Sequence, residues 1–278
     1  MKALFIRSLS FLCLAFFVAG CTTVGETGRR QLMLVPQEQV MQMGLTGFEQ
    51  MKQELPVSRD PQINAMLQRV GQRIAAVADL PNAQWEFVAF DSPEPNAFCL
   101  PGGKVGIYTG ILPITQTEEG LATVIGHEVA HASAQHGAER MSQAIAQGLV
   151  GQLVGAAAGA YVPQYQQLAT LLYGAGATVG HSLPHSRRQE LEADKIGLFY
   201  MARAGYNPEA AIGFWERFAA VDKGGGGTPW FLRTHPVDTD RIAQIRQLMP
   251  EAMAQFQAAG GRTTGPVRGT EVIGQPLR

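Results

Sequence analysis

The chain has 278 residues, 46% hydrophobic and 16% charged, which is enough apolar material for one sizeable core and, at this length, a single domain. Its 22 basic and 23 acidic residues leave a formal charge of −1, with no Lys/Arg run, so the basic footprint of a nucleic-acid binder is excluded.

At the N-terminus, Lys2 and Arg7 precede an apolar run from Leu9 to Val18. This reads as a signal peptide, since a membrane span needs ~20 apolar residues. The run ends in Val18-Ala19-Gly20-Cys21, which resembles a bacterial lipobox: residues 1–20 are cleaved and Cys21 is acylated. Thr22 in place of an aspartate resembles outer-membrane sorting, so the expected location is the periplasmic side of a bacterial outer membrane, lipid-anchored through Cys21. With Cys13 lost and Cys21 lipidated, Cys99 has no intrachain partner and reads as a small buried apolar residue between Phe98 and Leu100. Residues 21–35, Thr/Gly-rich and then basic at Arg29-Arg30, read as a tether.

A helix follows, with Val40, Gly44, Phe48 and Met51 on one stripe. Asp60 and Pro61 open a second, whose apolar residues Ile63, Met66, Leu67, Val70, Ile74 and Val77 repeat at helical spacing. Two strands are expected at 85–90 and 104–109, the latter set off by Pro101-Gly102-Gly103. Thr115 with Glu118, or Thr117 alone, caps a long helix with Leu121, Ile125, Val129 and Ala132 on its stripe. Residues 144–180 are rich in Ala, Gly, Leu and Gln. Gln147, Gln152 and repeated glycines interrupt each apolar run, which favours close-packed helices or a hairpin over a membrane span. Ser186 and Gln189 have capping-box spacing and start a helix to about Ala204, stopped by Gly205. Asn207-Pro208 opens another helix, with Ile212, Phe214, Trp215 and Phe218; a loop at 224–227 and a last helix near 239–248 follow. The tail 258–278 reads as disordered. The pattern is α+β and mostly helical: one domain over 36–257, with a small β-sheet beside the long helix.

That helix carries His127-Glu128-Val129-Ala130-His131. Positions i and i+4 share a helix face, so two imidazoles can aim at one cation, and Glu128, about 100° round the helix, can reach a water beside it. Zinc suits two nitrogens plus a carboxylate with a fourth position open. All six histidines fall between 127 and 235. Glu190-Leu191-Glu192-Ala193-Asp194 offers a third ligand. Glu190 and Asp194 share a face, a metal-bound Glu190 would leave Asp194 free to accept an imidazole N–H, and Glu192 points away. Spacing alone also permits His181 or His185, which precede the Ser186 cap. His136 lies off the ligand face and reads as structural.

The HExxH helix followed by an ExxxD helix resembles the HtpX and CAAX-prenyl-protease type of zinc metallopeptidases. Asn96 to Gly103, Ser186 to Asp194, and Thr234-His235-Pro236 with Arg241-Ile242 match in order. Thr27-Gly28-Arg29 is similar to a periplasmic, lipid-anchored branch of Gram-negative bacteria. The resemblance spans about Thr27 to Met249 and implies a zincin-like fold, one zinc ion per chain, Glu190 as third ligand and Asp194 behind the ligands.

Glu128 is then the base that takes a proton from the attacking water and passes it to the leaving amine. His235 has three readings: a donor to the developing oxyanion, a ligand on the open metal position that holds the enzyme latent, or a structural residue. For Arg241, a structural ion pair is favoured over contact with a substrate carbonyl. Strand 104–109 is expected to present an unpaired edge for an extended substrate. The functional expectation is an endopeptidase acting on unfolded or misassembled envelope proteins. The alternative is a non-proteolytic or latent assembly factor for outer-membrane proteins, against which an intact Glu128 argues.

Overall fold

The computed structural model describes residues 21–158, 185–221, 230–236 and 239–261. The leader, residues 159–184 (including His181), the 224–227 loop and the tail beyond 261 lie outside the described residues.

Strands β1 (Cys21–Thr23) and β2 (Arg30–Leu32) pair antiparallel, with Thr22 opposite Gln31. The stretch expected as a tether is therefore packed. Val24 lies in the main core, Gln31 is buried, and Glu26 pairs with Arg203 at 2.7 Å. Its Thr and Gly residues serve a chain reversal, in which Gly28, at φ 70°, donates its N–H to the Val24 carbonyl.

Helix α1 (Gln37–Glu54) buries Val40, Gly44, Phe48 and Met51, the expected stripe. Helix α2 (Pro61–Ala75) starts where Asp60 accepts hydrogen bonds from the Gln62 and Ile63 N–H groups, with Pro61 in the first turn. Strands β3 (Glu86–Phe90), β4 (Ala97–Leu100) and β5 (Lys104–Tyr108) form a sheet in the order β3-β5-β4, β5 parallel to β3 and antiparallel to β4. This corrects the expectation for strand 104–109. It is the central strand, buried at every position and paired on both sides, and the outer strands are β3 and β4.

Beyond a 3-10 turn at Thr109–Ile111 and α3 (Leu112–Thr115), Thr117 caps α4 (Glu118–Ser133) by accepting from the Gly120 N–H. Helix α5 (His136–Ala158) follows a turn in which Gln135 has φ 55°. The capping box of Ser186 and Gln189 is formed at the start of α6 (Arg187–Arg203). Helices α7 (Ala210–Val221), α8 (Trp230–Thr234) and α9 (Thr239–Ala258) complete the described residues. The last runs ten residues past its expected end, through Pro250, because Ala252 and Phe256 are buried beyond the proline.

The position of the site depends on the crossing of α4 and α6 at Gly126 and Gly197. A Cβ on Gly126 would lie 2.9 Å from the Gly197 carbonyl oxygen, and one on Gly197 would lie 2.8 Å from the His127 nitrogen. Two residues without side chains let the helix backbones touch beside His127. Among the described residues no helix is long and apolar enough to cross a membrane.

Candidate metal centre

Helix α4 carries His127, Glu128 and His131, all buried, and the first turn of α6 brings Glu190 to them. His127 Nε2 lies 3.1 Å from His131 Nε2 and 3.5 Å from Glu190 Oε2, and His131 Nε2 lies 3.3 Å from Glu190 Oε1. Tetrahedral ligands at the usual zinc distances, about 2.0–2.1 Å, are separated by about 3.3 Å, so these three side chains fit such an ion. His235, after α8, places Nδ1 2.9 Å from Glu190 Oε1 and 3.4 Å from His127 Nε2. Ligand atoms of His127, His131, Glu190 and His235 all lie within 4.8 Å of one another. His185, one of the alternatives for the third ligand, groups instead with His131 and His136, its ring 3.9 Å from that of His131.

Each helix histidine also has a close neighbour at its outer nitrogen. His127 Nδ1 is 3.1 Å from Asp194 Oδ1, and Arg241 donates to both Asp194 oxygens at 2.7 Å. The Arg241 guanidinium, buried over the Trp215 ring, also reaches Glu190 Oε2 at 2.7 Å, in keeping with a structural ion pair. His131 Nδ1 is 2.8 Å from His136 Nδ1, and His136 Nε2 is 3.0 Å from Glu192 Oε2.

This contact corrects the sequence reading of His136. Ideal helical spacing puts it off the ligand face, but α4 ends at Ser133, and the left-handed Gln135 turns the next helix so that His136 faces back. No glycine marks that turn; the signal in the sequence is a histidine five residues after His131, together with Glu192 on the helix of Glu190.

Burial would lower the proton affinity of His127, but the Asp194 and Glu190 carboxylates outweigh it and raise its pKa to about 9. For His131 burial prevails, and its pKa falls well below the ordinary value. Burial opposes ionisation of Glu190 and Asp194 as well. His235 and Arg241 nevertheless hold Glu190 well below the usual carboxylate range, and Arg241 holds Asp194 low. Glu128 is raised, chiefly by burial, and its Oε1 lies 3.7 Å from His235 Nε2. A buried carboxylate of raised proton affinity beside the ligand cluster suits proton transfer.

A groove opens over these groups. Phe98, Cys99 and Leu100 of β4 line it, as do Met33, Met41 and Met51, and Glu128, His131 and His235 also face it. Cys99, expected as a small buried apolar residue, is partly buried on this wall and packs against the main core. Cys21, the expected lipid site, is exposed at the start of β1.

The sequence model of peptidase family M48 matches residues 61–249. The chain is 40% identical over 191 residues to the mitochondrial metalloendopeptidase OMA1 of Schizosaccharomyces pombe, covering 69% of this chain and 54% of that protein. It is 29% identical over 260 residues to the mitochondrial metalloendopeptidase OMA1 of Homo sapiens, covering 89% and 49%. It is 27% identical over 236 residues to the β-barrel assembly-enhancing protease of Escherichia coli, covering 82% and 48%. The chain thus spans about half the length of the curated relatives it matches. The resemblance holds at the level of this family; these relatives are not HtpX proteins. The expected location, a bacterial outer membrane, is overturned: the relatives at 40% identity are mitochondrial proteins, and the bacterial protease is more distant.

Proposed function

Because the chain belongs to the metallopeptidases of family M48, we propose that it is a zinc metalloendopeptidase in which His127, His131 and Glu190 hold one zinc ion and Glu128 is the catalytic base. The observation that carries this reading is the set of separations among the three ligand side chains, 3.1, 3.3 and 3.5 Å, beside a buried Glu128. Zinc bound there would polarise a peptide carbonyl and lower the pKa of water to about 7. Glu128 accepts the proton of the attacking water and returns it to the leaving amine, and its raised proton affinity suits both transfers. Asp194, held by Arg241, keeps the His127 ring turned toward the cluster.

The substrates we propose are unfolded or misassembled polypeptides. The apolar groove and the outer strand β4 support this, because main-chain pairing on a strand edge recognises extended chain with little regard to sequence. Protease activity in the relatives named above supports the class of reaction. Attachment to a membrane through lipid on Cys21 belongs to the same proposal, supported by the apolar run and small residues ahead of an exposed cysteine.

A second reading, a latent enzyme, is favoured by the position of His235. Its Nδ1 is as close to Glu190 and His127 as a fourth ligand would be. The test is cleavage of unfolded casein by the zinc-loaded protein and by Glu128→Gln. Cleavage lost in the variant while zinc is retained supports the peptidase. Equal cleavage by both would sink the assignment of Glu128. His235→Ala should raise activity if His235 blocks the metal and lower it if His235 donates to the oxyanion; no change would leave it a structural role.

A further inference from the structure

The outer nitrogen of His131 meets another histidine, and the chain of contacts continues. His136 reaches Glu192 through Nε2. Glu192 Oε2 also accepts from Arg29 Nε at 2.5 Å, and Thr27 donates its hydroxyl to Oε1. Arg29 is held in turn by Glu139 at 2.7 Å and Gln31 at 2.9 Å, and Glu139 accepts from Gln189 at 2.8 Å. His136, Glu139, Gln189 and Glu192 are buried. Thr27 and Arg29 belong to the N-terminal hairpin, 163 or more residues from Glu192 in the chain.

The direction of these bonds follows from donor and acceptor chemistry. The Glu192 carboxylate, paired with the Arg29 guanidinium, is the acceptor of these bonds. The proton between it and His136 therefore sits on His136 Nε2. A neutral His136 then offers a lone pair at Nδ1, so the proton in the 2.8 Å contact belongs to His131 Nδ1. His131 Nε2 is left with a bare lone pair, and that is the atom 3.1 Å from His127 Nε2 and 3.3 Å from Glu190 Oε1.

We propose that Arg29, Glu192 and His136 are a positioning relay that fixes the tautomer and orientation of His131, making the N-terminal hairpin a working part of the metal site. The proposal rests on the reading that the cluster holds zinc. Removing a group behind a ligand histidine typically weakens metal binding about 10- to 100-fold.

The experiment uses the full chain, with zinc affinity measured by chelator competition and the His131 tautomer of the metal-free protein read from its imidazole ¹⁵N shifts. In the parent, His131 should be protonated at Nδ1. Glu192→Ala and Arg29→Met should each mix the tautomers and weaken zinc about 10- to 100-fold. Arg203→Met removes the Glu26 pair that also holds this hairpin and should leave both readouts unchanged. If Glu192→Ala does not fold, Arg29→Met and His136→Phe carry the test. Unchanged affinity and tautomer in the relay variants would overturn the proposal, as would an equal loss in Arg203→Met, which would reduce the hairpin to general support. A parent that binds no zinc, but whose His131 tautomer still responds to Glu192→Ala, would overturn the zinc reading and leave the relay standing.

Discussion

His127 and His131 lie one turn apart on the same helix, yet their outer nitrogens face unlike surroundings. His127 meets a carboxylate, Asp194, clamped by the buried Arg241. His131 meets a neutral ring, His136, and only through it a carboxylate. The consequence is opposite proton affinity: a pKa raised to about 9 on one side and one pushed well below the ordinary value by burial on the other. In the metal-free protein His127 thus holds a proton more tightly than His131, and a metal must displace it from that side. The two sides also differ in where their support originates. Asp194 and Arg241 come from the packed C-terminal helices, whereas the His131 side depends on a hairpin at the other end of the chain.

The largest effect should come from breaking the His127 side. Arg241→Met strips the guanidinium from Asp194 and Glu190 and leaves two buried carboxylates without that cation. Removing one partner of a buried ion pair costs about 3–5 kcal/mol, so the urea midpoint should fall accordingly. A loss under about 1 kcal/mol would show that the remaining histidines neutralise those carboxylates without Arg241.

Asp194→Asn is the next largest test, and the most direct one of the comparison. The carboxamide keeps the shape and an acceptor oxygen but loses the charge that raises His127. Zinc affinity should drop about 10- to 100-fold, roughly as for the relay on the other side. A drop confined to Asp194→Asn would show that only the charged side tunes the metal.

Gly197→Ala probes what both sides share, the close crossing of α4 and α6. Its Cβ would lie 2.8 Å from the His127 nitrogen, where backbone must move to admit it. Overpacking of this kind costs about 1–3 kcal/mol, and the separation of Glu190 from both histidines should widen with it. Stability lowered together with zinc affinity is the expected result. Unchanged affinity would mean that the ligand side chains absorb the helix shift.

How much of this was legible in the sequence follows the range of each interaction. The Asp60 cap, the Ser186–Gln189 capping box and the i, i+4 pair of histidines are local, and spacing alone predicts them. Strand order is not local. Lys104–Tyr108 has the apolar run of a buried strand, yet nothing in it tells that Ala97–Leu100 takes an outer place. His136 is turned back by a left-handed Gln135 that no glycine marks, and Glu192, on the other face of the Glu190 helix, meets the site only through His136. Arg29 looked like part of a basic linker because its partners, Glu139 and Glu192, are more than a hundred residues away.

The test that sharpens the comparison by sign is the pH dependence of metal-free stability. His127 binds its proton more tightly folded, about 9 against an ordinary 6.5. Its contribution is therefore complete below about pH 6.5 and lost as the pH rises through about 9. Glu192 is shifted the other way, to about 2 from 4.5: burial opposes ionisation, but His136, Thr27 and Arg29 outweigh it. Its contribution is present above about pH 4.5 and lost as the pH falls through about 2. The Tm of the metal-free protein should thus fall at both ends of the range, by a few °C for each kcal/mol lost. Asp194→Asn should flatten the alkaline fall, because it removes the largest influence raising His127. Glu192→Gln should leave the alkaline fall intact and soften the acid one only in part, because Glu190 and Asp194 are also held low. An alkaline fall that persists in Asp194→Asn would place the responsible proton elsewhere than His127 and remove the asymmetry between the two histidines.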